Sequence, residues 1–113
     1  MSQCLQPGRP PGLSVAVVPQ RDRVDVVPEG ELDIATIAAV RHKLAALRSG
    51  GFERVVLDLR RLSFVDSCAI HLLFELESAA ARDGIALSVR LGTATPARRL
   101  FALAGLEQRF AVA

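Results

Sequence analysis

The chain has 113 residues, half of them hydrophobic, with 14 Lys and Arg against 12 Asp and Glu and a formal charge of +2. That length supports one ordinary core with little room for a separate substrate domain, and the apolar fraction excludes a disordered chain. The basic residues are almost all Arg and lie scattered, with no dense run of the kind that tracks a phosphate backbone, so direct nucleic-acid binding is not expected.

Residues 1–12 contain Pro7, Pro10 and Pro11 with Gly8 and Gly12, a composition that removes backbone donors and resists regular packing; they read as a flexible tail before a domain at 13–113. No apolar run in this stretch resembles a signal peptide, and no segment reaches the roughly 18 apolar residues of a membrane span. Cys4 and Cys68 lie far apart, which gives neither a disulfide framework nor paired metal-ligand spacing. A cytoplasmic protein without membrane, metal or cofactor is expected.

Leu13–Val18 and Val24–Val27 are valine-rich runs joined by a polar stretch from Pro19 to Arg23, the pattern of an antiparallel hairpin. From Asp33 to Ser49 residues at three- and four-residue steps, Ile34, Ile37, Val40 or Arg41, Leu44 and Leu47, predict an amphipathic helix ending at Gly50-Gly51. Arg54–Leu59 has little polar alternation and reads as a central strand buried on much of both faces. Helical spacing returns from Ser67 to about Arg82 through Ile70, Leu73, Leu76 or Glu77 and Ala80, and Asp83-Gly84 stops it before a strand at Ile85–Leu91. Thr95-Pro96 supplies a capping hydroxyl and a first-turn proline for a helix with an apolar side at Leu100, Leu103 and Leu106, ending near Gly105. Arg109–Val112 is a candidate edge strand. The order predicts a small α/β domain with a mixed sheet of four to five strands packed against helices.

Asp66-Ser67-Cys68 is the stretch richest in chemistry, because it sets an acid and a hydroxyl at the turn into the second long helix. The unpaired N–H groups of a helix's first turn favour anions, so a phosphate on Ser67 would find donors there. The same residues also fit a plain helix cap, and so does Asp33 ahead of the first helix. Ser67 and His71 stand four residues apart, which invites a Ser/His hydrolase. No Gly-x-Ser-x-Gly elbow and no third group to orient His71 accompany them. His42 sits between Arg41 and Lys43 and reads as surface, the glycines follow no nucleotide-binding pattern, and Arg98-Arg99 marks no site.

Three blocks carry a resemblance to a known family: Gly30-Glu31-Leu32-Asp33 after the second strand, Val55–Leu59 running into Leu62-Ser63-Phe64-Val65-Asp66-Ser67, and Pro96 to Leu106. In this order the chain resembles the STAS-domain anti-sigma factor antagonists, and the blocks span nearly everything after the tail. The resemblance implies a non-catalytic anti-anti-sigma factor, which binds an anti-sigma factor and releases its sigma factor. It also implies that Ser67, directly after the motif aspartate, is phosphorylated by an anti-sigma factor serine kinase and relieved by a phosphoserine phosphatase. Asp33, Asp66, Ser67 and Cys68 are then the expected partner-binding residues. Cys68 and Ala69 depart from the family, where a second small hydroxyl residue and a glycine are common; Ala69 favours the helix, and Cys68 is either a packed small residue or a thiol activated by the helix end. The alternatives to this role are an accessory subunit of a transporter ATPase and the Ser67/His71 hydrolase.

Overall fold

The computed structural model describes residues 12–48 and 50–110. Of the expected tail, residues 1–11 lie outside this range, and Gly12 is held by its carbonyl, which accepts from the Glu31 N–H at 2.9 Å. Eight elements follow: β1 (Leu13–Pro19), β2 (Arg23–Leu32), α1 (Ile37–Arg48), β3 (Arg54–Asp58), β4 (Leu62–Val65), α2 (Cys68–Asp83), β5 (Ala86–Arg90) and α3 (Pro96–Leu103). Among the described residues they make one mixed sheet of five strands and three helices, the α/β architecture the element order predicts.

Strand β2 organises the sheet. It pairs antiparallel with β1 from Val24 to Gly30, as the hairpin reading requires. It also pairs parallel with β3 through Arg23–Val26 and with β4 through Gly30–Leu32. The edge strand β5 then pairs parallel with β3, so β3 lies between β2 and β5 as a central strand. Two expectations change here. The block Gly30-Glu31-Leu32 ends β2 rather than following it, and Leu62–Val65, read only as part of a motif, is a strand in its own right.

Gly30 shows why the turn chemistry misled. Its φ is +117°, and a Cβ built there would stand 2.1 Å from the Gly12 carbonyl oxygen, so only glycine lets the chain start pass this close. The pairing with β4 shifts register between Gly30 and Glu31, a bulge that lets the strand continue beyond a residue that usually ends one.

Alternate strand residues face the helices. Val24 and Val26 of β2, Val55 and Leu57 of β3 and Val89 of β5 are buried with Ile37, Val40 and Leu44 of α1 and Leu72 and Leu73 of α2. The opposite positions carry a different chemistry. Asp25 and Asp58, 8 % and 4 % exposed, lie among arginines: Arg60 makes two 2.9 Å bonds to Asp58, Arg23 lies 3.1 Å from Asp25, and Arg90 reaches within 3.9 Å of both. The arginine stems cover this face while their charges offset the buried carboxylates.

The helices keep their places but not all their expected faces. Helix α1 starts at Ile37, because Asp33–Thr36 forms a turn in which Asp33 Oδ1 accepts from the Ala35 and Thr36 N–H groups. Ile34 is thereby swung outward and is 80 % exposed rather than part of the core stripe. Helix α2 buries Ala69, Leu72 and Leu73, one step from the expected stripe of Ile70, Leu73, Leu76 and Ala80, and Gly84 at φ +70° ends it as expected. In α3 the buried residues are Ala97 and Phe101, while Leu103, expected in the core, is 83 % exposed. Phe101 decides this orientation: as the larger side chain it packs on Phe110, which packs in turn on Phe74. Residues 107–110 form turns and a bend rather than an edge strand, with Phe110 buried; the rest of that expected strand lies outside the described residues.

Candidate functional site

The parallel pairing of β2 with β4 builds the site. Leu32 pairs with Val65 at the carboxyl ends of the two strands, so the next residues, Asp33 and Asp66, leave the sheet side by side. The Asp66 N–H donates to the Leu32 carbonyl at 3.3 Å and ties the two exits together. Carboxyl ends of parallel strands are where α/β sheets commonly present binding residues, because the loops there are free of ladder bonds.

Asp33 and Asp66 each close a helix entrance. Asp33 Oδ1 accepts from two N–H groups, while the Thr36 hydroxyl donates to the Glu31 carbonyl at 2.7 Å and accepts from the Asp33 N–H at 3.0 Å. Asp66 Oδ1 accepts from the Cys68 N–H at 3.0 Å, and the Asp66 carbonyl accepts from the Ala69 N–H at 3.1 Å. Both acids are therefore structural caps as well as charges. Neither forms an ion pair among the described residues, in contrast to Asp25 and Asp58.

Ser67 stands exposed between Asp66 and α2. Its backbone is already helical, at φ −65° and ψ −14°, and its side chain makes no capping hydrogen bond. An N-cap hydroxyl normally needs extended backbone to reach the N–H two or three residues on, and helical angles turn it away. Asp66 meets that need one residue earlier, which leaves the Ser67 hydroxyl facing solvent.

Cys68 is half-buried and packs against the core. Burial, a hydrogen bond to the Asp66 carboxylate and the charges of Asp66 and Asp33 push its thiol up to about 12, and Arg41 opposes this only weakly. The activation expected of a thiol at a helix start is thus reversed by burial first and by two nearby carboxylates second, and the packed reading of Cys68 holds. The same electrostatics place Asp33, Asp66, Cys68 and the start of α2 within one charged neighbourhood.

His71 is exposed, and among the described residues no side-chain hydrogen bond joins it to Ser67. No group of three or more His, Cys, Asp or Glu residues among the described residues is arranged to hold a metal. None of their helices is long and apolar enough to cross a membrane. Two neighbours of the site escaped the sequence reading. Ile34 and Phe64, 80 % and 48 % exposed, lie next to Asp33 and two residues before Asp66. Phe64 carries no signal of this in the sequence, since strand alternation from the buried Leu62 would turn it inward, yet it is exposed.

Comparison with known proteins agrees with the fold. The STAS domain family matches residues 15–113. No curated protein matches. Among solved structures, an anti-sigma factor antagonist from Mycobacterium paratuberculosis superposes with a TM-score of 0.74 at 25% identity, covering 92% of this chain and 87% of that one. The unphosphorylated form of the anti-sigma factor antagonist SpoIIAA gives 0.64 at 24% identity over 90% of this chain and 88% of its own. The phosphorylated form of SpoIIAA, a Bacillus cell fate determinant, gives 0.56 at 23% identity over 84% and 85%. The last two likenesses carry the fold alone. With the family match over residues 15–113 and the five-stranded mixed sheet already described, the chain belongs to the STAS domain family.

Proposed function

We propose that the chain is an anti-anti-sigma factor, a binding protein that captures an anti-sigma factor, frees its sigma factor and is switched off by phosphorylation of Ser67. One observation carries the reading: Ser67 is exposed at the entrance of α2 with a hydroxyl that caps nothing, beside two carboxylates without ion-pair partners among the described residues. The likeness to anti-sigma factor antagonists supports the general role. In this reading Asp33, Asp66, Ser67 and Cys68 form the polar centre of the partner surface, and the exposed Ile34 and Phe64 supply its apolar contact. The partners are an anti-sigma factor serine kinase, which brings the ATP, and a phosphoserine phosphatase, in the cytoplasm.

The switch follows from charge. A phosphate adds about −1.5 to −2 charges next to Asp66 and near Asp33. Burying that charge in an interface at a cost of about 3 to 4 kcal/mol would weaken binding on the order of 10²- to 10³-fold. The domain itself tolerates the modification, because helix-terminal N–H groups favour an anion by about 0.3 to 1 kcal/mol at an exposed site.

The test is incubation with candidate anti-sigma kinases and ATP, followed by mass spectrometry of the product. Phosphate on Ser67 is the expected result, and a partner that binds the chain yet leaves Ser67 unmodified would overturn the reading. Ser67→Ala should keep the partner, and Ser67→Asp should weaken it. Equal binding by the two would reject charge as the signal.

A further inference from the structure

Helices α1 and α2 do not close on each other along their full length. Between them, over the inner face of β3 and the edge strand β5, lies a groove with a cavity of about 550 Å³. Its walls and floor are aliphatic: Leu44 and Leu47 from α1, Leu72 and Leu76 from α2, Val55 from β3 and Leu87 from β5. No aromatic side chain lines it. The groove is open to solvent, and its volume lies in the range of small-molecule pockets, about 300 to 1,000 Å³, so an apolar occupant would take its aliphatic lining out of water.

The charges at the rim say what that occupant carries. Arg41 and Glu75 bridge the two helices at 2.6 Å and neutralise each other. Asp83 is already engaged in an interaction of its own. Arg82, exposed in the last turn of α2, lines the groove without an ion pair among the described residues. The groove thus offers an aliphatic surface with one spare guanidinium at its edge. A guanidinium binds carboxylate oxygens through paired N–H donors.

We propose that the groove between α1 and α2 binds a single-chain aliphatic anion of the fatty-acid class, with the chain along Leu76 and Leu87 and the carboxylate at Arg82. The site lies away from Ser67 and does not depend on its modification. A flat apolar patch for a protein partner would lack this concave volume, and a neutral oil would leave Arg82 unused.

The chain has neither tryptophan nor tyrosine, so calorimetry with the intact protein is the direct assay. Sodium dodecanoate, kept below its micelle concentration, should saturate at one molecule per chain. Ala45 lines the groove and is exposed, so Ala45→Trp fills the space without loading the core and should weaken dodecanoate by at least about tenfold. Arg82→Glu should weaken dodecanoate about two- to fivefold, the range of an exposed ion pair, and favour dodecyltrimethylammonium instead. Methyl NMR should show the shifts at Val55, Leu76 and Leu87. The proposal fails if wild-type protein shows no saturable uptake, if the methyl shifts fall elsewhere, or if both variants bind like wild type in thermal melts that confirm their fold. Binding to anionic phospholipid vesicles without uptake of free dodecanoate, or a dimer that buries the groove, would equally overturn it.

Discussion

At the start of α3, Thr95 is extended, with φ −104° and ψ 158°, and its hydroxyl both donates to the Leu91 carbonyl and accepts from the Arg98 N–H at 3.1 Å. At the start of α2, Ser67 is already helical and its hydroxyl caps nothing. Both are hydroxyl residues at a helix entrance, so local sequence treats them alike. What separates them is the residue before: Asp66 accepts from the Cys68 N–H and takes over the cap, whereas Ala94 has no side chain that could relieve Thr95. An acid one position early is therefore the structural device that turns a capping hydroxyl into a spare one.

The same contrast runs through the acids and explains the largest effect expected. Asp66 and Asp33 stand without cations among the described residues, and their charges fall on Cys68. A thiol at about 12 is almost entirely protonated at pH 8, and the higher intrinsic nucleophilicity of a basic thiolate recovers only part of the loss. In a Cys4→Ser background, Cys68 should react with iodoacetamide roughly 100-fold more slowly in the folded protein than in denaturant. Asp66→Asn should recover part of that rate. An Asp66→Asn variant that reacts no faster than its parent would mean that the acids do not act on the thiol, and would undo the charged neighbourhood on which the switch depends.

Thr95 supplies the next effect. Thr95→Ala removes a hydroxyl that both donates and accepts, and should cost about 1 to 2 kcal/mol in urea melts. Pro96 at the first helical position limits the loss, since its fixed φ keeps the helix start organised. A cost below about 0.5 kcal/mol would show that this cap is idle too, and the comparison with Ser67 would lose its meaning.

Asp58 tests the acids that do have partners. Its carboxylate accepts from the Arg60 side chain and backbone, and this holds its pKa below the ordinary 3.8. A lowered folded pKa gives stabilisation that is complete above the ordinary value and is lost as pH falls through the folded one. Asp58→Asn should therefore cost about 1 kcal/mol at pH 7, and the gap to wild type should close as pH falls below about 4. Urea melts across that range measure it. A gap that widens in acid would reverse the assignment.

Much of this was legible because each feature had a local physical cause. Val55–Leu57 declares a central strand by unbroken β-branched and aliphatic residues, Asp83-Gly84 ends α2 through a left-handed glycine, and Thr95-Pro96 starts α3 where expected. The misses occur where a long-range partner overrides the local signal. Pro28 and Gly30 look like the end of a strand. Yet β2 runs on to Leu32, because β1 pairs along it and Pro28 falls between the segments joined to β3 and β4. Strand β4 is four residues long and exists through its pairing with β2. The site residues were legible as a motif, but the adjacency of Asp33 and Asp66 depends on that same β2–β4 pairing, 33 residues apart in the chain.

The smallest expected effect is the sharpest test of the comparison. If Asp66 has taken over the cap, Ser67→Ala removes no hydrogen bond of the fold, and alanine is the better helix former at a position that is already helical. The variant should match wild-type stability within about 0.5 kcal/mol, or exceed it slightly. Thr95→Ala, measured in the same urea melts, supplies the contrast. A loss at Ser67 as large as that at Thr95 would mean that the serine hydroxyl holds the helix after all; it would then be a poor place for a modification that must leave the domain folded. Similar stability, together with intact partner binding, would leave the hydroxyl with no structural duty and therefore free to carry a phosphate.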